Sequence, residues 1–198
     1  MQAARRAPLN SGESDEPAHD VEDETTADDA PEQPPARRTP YLLLFALIAA
    51  LGLGLDQWTK HWAENSLEGR GTVEVVGRWL GWHLTYNSGA SFSMGTSYTE
   101  VLSVIAIGAV LVVLFIARRL ASTTWAVALG VLLAGIGGNL TDRIFRAPGV
   151  LEGHVVDFIR LPNWPIFNIA DICITVAAAL IIIQTIRGIR VDGLRHES

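Results

Sequence analysis

Three short motifs carry most of this chain's potential chemistry: GGNLTDR at Gly137–Arg143, VVDF at Val155–Phe158 and FNIAD at Phe167–Asp171. Together they hold three aspartates, two asparagines and an arginine between two strongly apolar segments. An ionisable group at the rim of a lipid-embedded region is costly if it is left buried and unpaired, so a functional site is the first reading. Two carboxylates held close together cannot both ionise easily and share one proton. The ionised member then activates water while the protonated one polarises a carbonyl. Asp56, Asp142, Asp157 and Asp171 are the candidates. Asp157 lies in the apolar run VVDFI, where desolvation raises a carboxyl pKa. Asp171 lies near a helix start, where the dipole favours the anion. These contrasting environments favour Asp157 and Asp171 as the pair. Asp142 and Asp56 read equally well as structural partners of a cation such as Arg143 or Lys60.

Other chemistries find less support. His154 with nearby carboxylates is a conceivable metal site, but there is no HExxH helix, the single Cys173 lies in an apolar run, and His154 beside Gly153 reads as a surface residue. No serine sits in a GxSxG or SxxK setting. Neither a phosphate-binding glycine loop nor a basic nucleic-acid face is present. No metal, no organic cofactor and no nucleic-acid partner are expected.

The elements that must position these residues are membrane helices. Apolar residues make up 49% of the chain, charged ones 18%, and the mean hydropathy is +0.27. The net charge of −6 belongs to the first 39 residues, which hold ten acids and four arginines; the remainder is neutral. Residues 1–40 also hold six of the nine prolines and few large apolar side chains. Such a segment is expected to be a disordered, acidic, cytoplasmic tail and not a signal peptide. The membrane domain is then 41–198. Four apolar segments predict spans at about 41–62, 100–118, 123–142 and 167–187, long enough for a ~30 Å hydrocarbon core. Cys173, inside the last, reads as a buried, inert thiol.

Arginines 37 and 38, 118 and 119, and 187 and 190 flank alternate span ends. With these in the cytoplasm both termini are inside, and Asp56, Lys60, Asn139, Asp142, Arg143, Asp157, Asn168 and Asp171 all reach the external face, Asp157 in a loop. Between the first two spans, TVEVVGRWLGWHLTYN (Thr72–Asn87) reads as two short strands, a small external β-rich cradle. Its Trp79, Trp82 and Tyr86 suit the lipid–water interface. NSGASFSMG (Asn87–Gly95) permits close backbone approach, plausibly to an extended substrate. Glycines 130, 135, 137 and 138 let neighbouring helices approach the third span. Asn139 shares a helix face with Arg143, and Asn168 with Asp171. The fold class is thus an all-α membrane protein of four helices with that cradle.

In this order and on four spans, DQWTK (Asp56–Lys60), NSGASFS, GGNLTDR, VVDF and FNIAD closely resemble the lipoprotein signal peptidase family, signal peptidase II, over about residues 41–190. The resemblance implies an aspartic endopeptidase of the bacterial cytoplasmic (inner) membrane, acting at the external face. It would remove signal peptides from prolipoproteins by cutting before a diacylglyceryl-modified cysteine. It implies Asp157 and Asp171 as the catalytic pair. Asn87, Gly89, Asn139, Asp142, Arg143, Asn168, Ala170, Asp56 and Lys60 would support the site or contact substrate. Among them Asn139, Arg143 and Asn168 would orient the dyad and substrate backbone, Asn87 would line the channel, and Asp56 would be structural. The expected partners are prolipoprotein substrates and membrane lipid, and the expected state is a monomer. Two features depart from the pattern: the long acidic tail, and RAPGVLEG (Arg146–Gly153), which reads as an elongated external turn altering the lid over the site. The alternative reading is a small proton-coupled transporter subunit with an aspartate relay; the absence of charge in the centres of the second and fourth spans counts against it. A lipid-head-group transferase holding Mg²⁺ would want a DGxxAR pattern, which is absent.

Overall fold

The computed structural model describes residues 38–89 and 97–194. The expected disordered tail falls outside them, as does NSGASFSMG beyond Gly89. Four helices are long and apolar enough to cross a membrane: α1 (Thr39–Leu67), α2 (Ser97–Ala117), α3 (Thr123–Phe145) and α4 (Ile169–Ile186). Pro40 opens α1, where its fixed φ and missing N–H are harmless. With 29 residues α1 runs five past the expected end, reaching about 43 Å. Its last turns, from Asp56 onward, become a wall of the polar end. Helix α3 also runs on, to Phe145.

Helix α3 is central, packed against α1, α2 and α4. Its small residues make this possible. A Cβ at Gly130 would lie 2.9 Å from the Phe45 carbonyl oxygen, and one at Gly135 would lie 2.6 Å from that of Ala170. At Gly138 it would collide with the Asp56 carboxylate. Glycine here lets three backbones meet. Phe45, Val113, Ala117, Leu120, Ala126 and Leu129 form a buried cluster at the other end, with Tyr41, Ile181 and Val191 packed against it. The start of α1, the end of α2 and the end of α4 therefore share one end of the bundle.

Three strands, not two, form the sheet: β1 (Val73–Val76), β2 (Leu80–Asn87) and β3 (Val155–Arg160), antiparallel in that order. The third comes from the connection between α3 and α4, so Asp157 is a strand residue and not the loop residue expected. A five-residue apolar run buried on both faces has no alternation to betray it. Phe167 pairs with Ile159 on the far side of β3, its N–H donating at 3.1 Å and its carbonyl accepting at 2.8 Å, which clamps β3 to the start of α4. Trp82, half-buried, also packs within the protein. Its ring centroid lies 5.8 Å from Trp62 and 5.9 Å from Phe158 in a cluster joining the sheet to the end of α1. Trp79 and Tyr86 are exposed, as interfacial residues would be.

RAPGVLEG is a compact hydrogen-bonded turn. The Gly153 N–H donates to the Arg143 carbonyl at 3.0 Å, and the Leu151 carbonyl accepts from the Ser103 hydroxyl of α2 at 2.6 Å. It is an elongated turn held onto α2 and α3. Arg146, Ala147 and His154 line a cavity of about 520 Å³ together with Glu64 and Tyr86. His154 is half-buried on the wall of this open cavity, and Cys173 is likewise only half-buried.

Candidate active site

Helix α4 begins with a reciprocal cap. The Asn168 side-chain oxygen accepts from the Asp171 N–H at 3.0 Å, and Asp171 Oδ2 accepts from the Asn168 N–H at 3.1 Å. A polar residue at the N-cap and an acid three positions on satisfy two of the helix's unpaired donors. This local motif also fixes the Asn168 amide, because its oxygen is committed. Its nitrogen then donates to Asp157 Oδ1 at 2.7 Å and to Asn139 Oδ1 at 3.1 Å. Asn139 in turn donates to Asp171 Oδ1 at 2.8 Å. One residue, Asn168, thus bridges the two carboxyls that the motifs single out, through its side-chain amide on Asp157 and its backbone N–H on Asp171.

Asp157 comes from β3, fully inside. It pairs with Thr85 across the sheet, and Asn87 pairs with Val155. Residues two apart on a strand share a face, so Asn87 reaches Asp157 diagonally. The Asn87 amide donates to Asp157 Oδ2 at 2.9 Å, and its oxygen accepts from the Gly89 N–H at 2.8 Å. Gly89 holds φ +86, and a Cβ on it would lie 2.6 Å from Leu102 and 3.6 Å from Arg143 Nη2. Each of the four carboxylate oxygens accordingly accepts one amide hydrogen. Burial pushes the Asp157 carboxyl up to about 6; the Asn87 amide opposes this, the neighbouring Asp171 charge adds to it, and the Asn168 amide opposes it again.

Beneath the dyad lies a buried ionic network. Lys60 Nζ sits 2.8 Å from Asp56 Oδ2 and 2.8 Å from Asp142 Oδ2, and donates to Asn139 Oδ1 at 3.0 Å. Asp56 Oδ1 accepts from the Ala170 N–H at 2.9 Å, tying α1 to α4. Asp142 accepts from the Val156 N–H at 3.1 Å, tying α3 to β3. The cation partners of Asp142 are Lys60 and Arg146 (2.8 Å), not Arg143. On a helix the fourth residue on shares a face and the adjacent one does not. Gln57, Glu64 and Arg146 belong to this network and escaped the motif reading. Gln57 Nε2 donates to Gly138 O at 3.0 Å and to Asp142 Oδ1 and Asp56 Oδ2 at 3.2 Å, and Arg146 pairs with Glu64. The signal was present: Glu64 is four beyond Lys60, and Arg146 four beyond Asp142.

Arg143 is half-buried beside Gly89 and hydrogen-bonds neither dyad carboxyl among the described residues; the asparagines do that work. Its Nη1 has no partner among those residues. Two clefts open on the dyad. One of about 370 Å³ meets Asp157 and is lined by Thr85, Tyr86, Asn87, Ser88, Pro165 and Ile166. The other, of about 260 Å³, meets Asp171 beside Trp164, Phe167, Ile172, Thr175 and Val176. The first is substantially polar and the second apolar, continuing onto the exposed Ile172 and Val176 of α4. Among the described residues no group of three or more acids, histidines or cysteines is arranged to hold a metal ion.

The family model for signal peptidase (SPase) II matches residues 48–187. A lipoprotein signal peptidase of Mycobacterium avium is 45% identical over 170 residues, covering 86% of this chain and 92% of the relative. That of Mycobacterium tuberculosis H37Rv is 43% identical over 190 residues, covering 92% and 93%. That of Streptomyces griseus is 44% identical over 161 residues, covering 81% of each. A solved structure described as a bacterial membrane enzyme superposes with a TM-score of 0.65 at 30% identity, covering 72% of this chain and 92% of its own.

Proposed function

From a chain that belongs to the signal peptidase II family, aspartic peptidases with prolipoprotein substrates, we propose that Asp157 and Asp171 are the catalytic dyad. The observation that carries this is the Asn168 bridge, one amide on Asp157 and one backbone N–H on Asp171. It holds two acids of different helical and strand origin around one small space.

The pair carries one proton between them. Asp157, the more deeply buried, keeps it. The ionised Asp171 takes a proton from water as the water oxygen attacks the scissile carbonyl, while Asp157 protonates the carbonyl oxygen. The resulting tetrahedral diol collapses: the C–N bond breaks, a proton passes to the amine of the diacylglyceryl-cysteine, and the dyad regains its single proton. No covalent enzyme adduct and no metal enter. The peptide lies in the polar cleft along β2, with Arg143 and the Asn87–Gly89 corner toward its backbone. The lipid reaches the same centre from the apolar cleft along α4.

Asp56, Lys60, Asp142 and Ala170 position the dyad from beneath. The active site faces outward from the cytoplasmic membrane and both termini are inside, since Arg38, Arg118, Arg119, Arg187 and Arg190 all gather at the opposite end. A proton relay would spread carboxylates through the membrane depth, whereas here they cluster at one end.

Purified protein should cleave a diacylglyceryl-modified precursor and spare the unmodified one, with and without chelator. Asp157→Asn and Asp171→Asn should each lower the rate by about 10²–10⁴-fold while the protein still inserts. Near-normal cleavage by either variant removes that residue from the dyad.

A further inference from the structure

At the end of the bundle away from the dyad, a cavity of about 470 Å³ has a wall of Phe115, Ile116 and Trp125 and a rim of Arg119, Arg190 and Asp192. The peptidase chemistry has no use for it. The Trp125 indole N–H already donates to the Ile189 carbonyl at 2.9 Å, so the ring offers an apolar wall with no polar demand. The guanidinium carbons of Arg118 and Arg119 each lie 6.0 Å from the Phe115 ring centroid. Arg190 Nη2 pairs with Asp192 at 3.0 Å, its one side-chain partner among the described residues, which uses one of the five guanidinium donors. Arg118, Arg119, Arg187 and Arg190 outnumber that carboxylate.

The apolar wall also continues outward. Phe115, Val112 and Leu111 are 59%, 57% and 61% exposed on α2, the face that meets acyl chains if α2 spans the membrane. The cavity stands where α2 and α4 end, at the depth of lipid head groups. Basic pockets between helix ends at such a depth attract anionic head groups. A soluble anion would satisfy the arginines but leave the aromatic wall wet.

We infer that this cavity binds an anionic phospholipid, its phosphate between Arg119 and Arg190 and an acyl chain along Phe115 and Ile116. Trp125 reports on it, because the other five tryptophans (58, 62, 79, 82 and 164) lie toward the sheet end. The test is quenching of the full chain in detergent by brominated phosphatidylglycerol against brominated phosphatidylcholine, with Trp125→Phe subtracted. Phosphatidylglycerol should quench Trp125 at about tenfold lower concentration. Arg119→Gln/Arg190→Gln should erase that preference, with cleavage of a detergent-solubilised precursor retained. Asp192→Asn, which removes the competing carboxylate, should sharpen the preference, so a poorly folding double variant leaves a second measurement. Equal quenching by the two lipids, or an Asp192→Asn variant with weaker preference, overturns the inference. So does displacement by inorganic phosphate alone, which would make the site a soluble-anion site. Displacement by a peptide of residues 13–32 would assign it instead to the chain's own acidic segment.

Discussion

The Asn168 side chain shows how few atoms decide this site. Its oxygen is spent on the helix cap, so both amide hydrogens are directed, one to Asp157 and one to Asn139. Asp157 then titrates under burial, the Asn87 and Asn168 amides and the Asp171 charge, and their signs predict shifts in opposite directions. Burial has pushed its carboxyl to about 6. The dyad loses its shared proton as pH rises through that value, so kcat/KM should fall on the alkaline side of about 6. Asn87→Ala removes a donor that favours the anion and should move the Asp157 titration upward. Asp171→Asn removes a like charge and should move it downward. Carbon-13 carboxyl NMR of Asp157 in the two variants reads both; shifts of the same sign would refute this account. The stability consequence has a fixed sign as well. A carboxyl raised in the fold contributes stability that is full below its ordinary value of 3.8 and lost as pH rises through about 6.

Among the elements, α3 sets the geometry because its glycines admit both neighbours. Gly138 admits Asp56 and Gly135 admits α4, and this brings Lys60 of α1 between two carboxylates with no exposure to solvent. The network holds Asn139, and Asn139 holds Asp171. Lys60→Met leaves two buried carboxylates without their shared cation and should cost about 3–5 kcal/mol, seen as a lower midpoint of thermal unfolding in detergent. Adding Asp56→Asn should restore part of the loss, since Asp142 keeps Arg146 and the Asp56 charge that had lost its cation is then gone. A Lys60→Met protein as stable as the parent would show that the network is dispensable. The spacings of Lys60 to Asp56 and of Arg146 to Asp142 were legible as helical neighbours. The pairing of Lys60 with Asp142 was not, since it depends on how closely α1 and α3 pack.

For the whole molecule, the proposed orientation sends Asp157 and Asp171 outward and the arginine-rich end inward. Cys173 is the only native cysteine, so Cys173→Ala provides a background for accessibility mapping in intact cells. A cysteine replacing Trp164, which is 65% exposed, should react with a membrane-impermeant maleimide. One replacing Arg190, which is 53% exposed, should react only after lysis. The reverse pattern would invert the topology and with it the proposed access of secreted precursors.

The amino-acid order by itself determined the four apolar spans and their polar ends and pointed to the two acids proposed as the dyad, since apolar run length and charge placement along the chain are one-dimensional properties. It missed the third strand, because VVDFI buries both faces and carries no period. That Trp82 also joins the sheet to the end of α1 was not legible, because an aromatic ring's neighbours are not written in its spacing. Only the tertiary structure decided that Asn168 bridges Asp157 and Asp171, that Asp142 answers to Lys60 and Arg146, and that Arg143 hydrogen-bonds neither of those two acids among the described residues. Those facts depend on directions and distances between elements far apart in the chain, and close packing sets them.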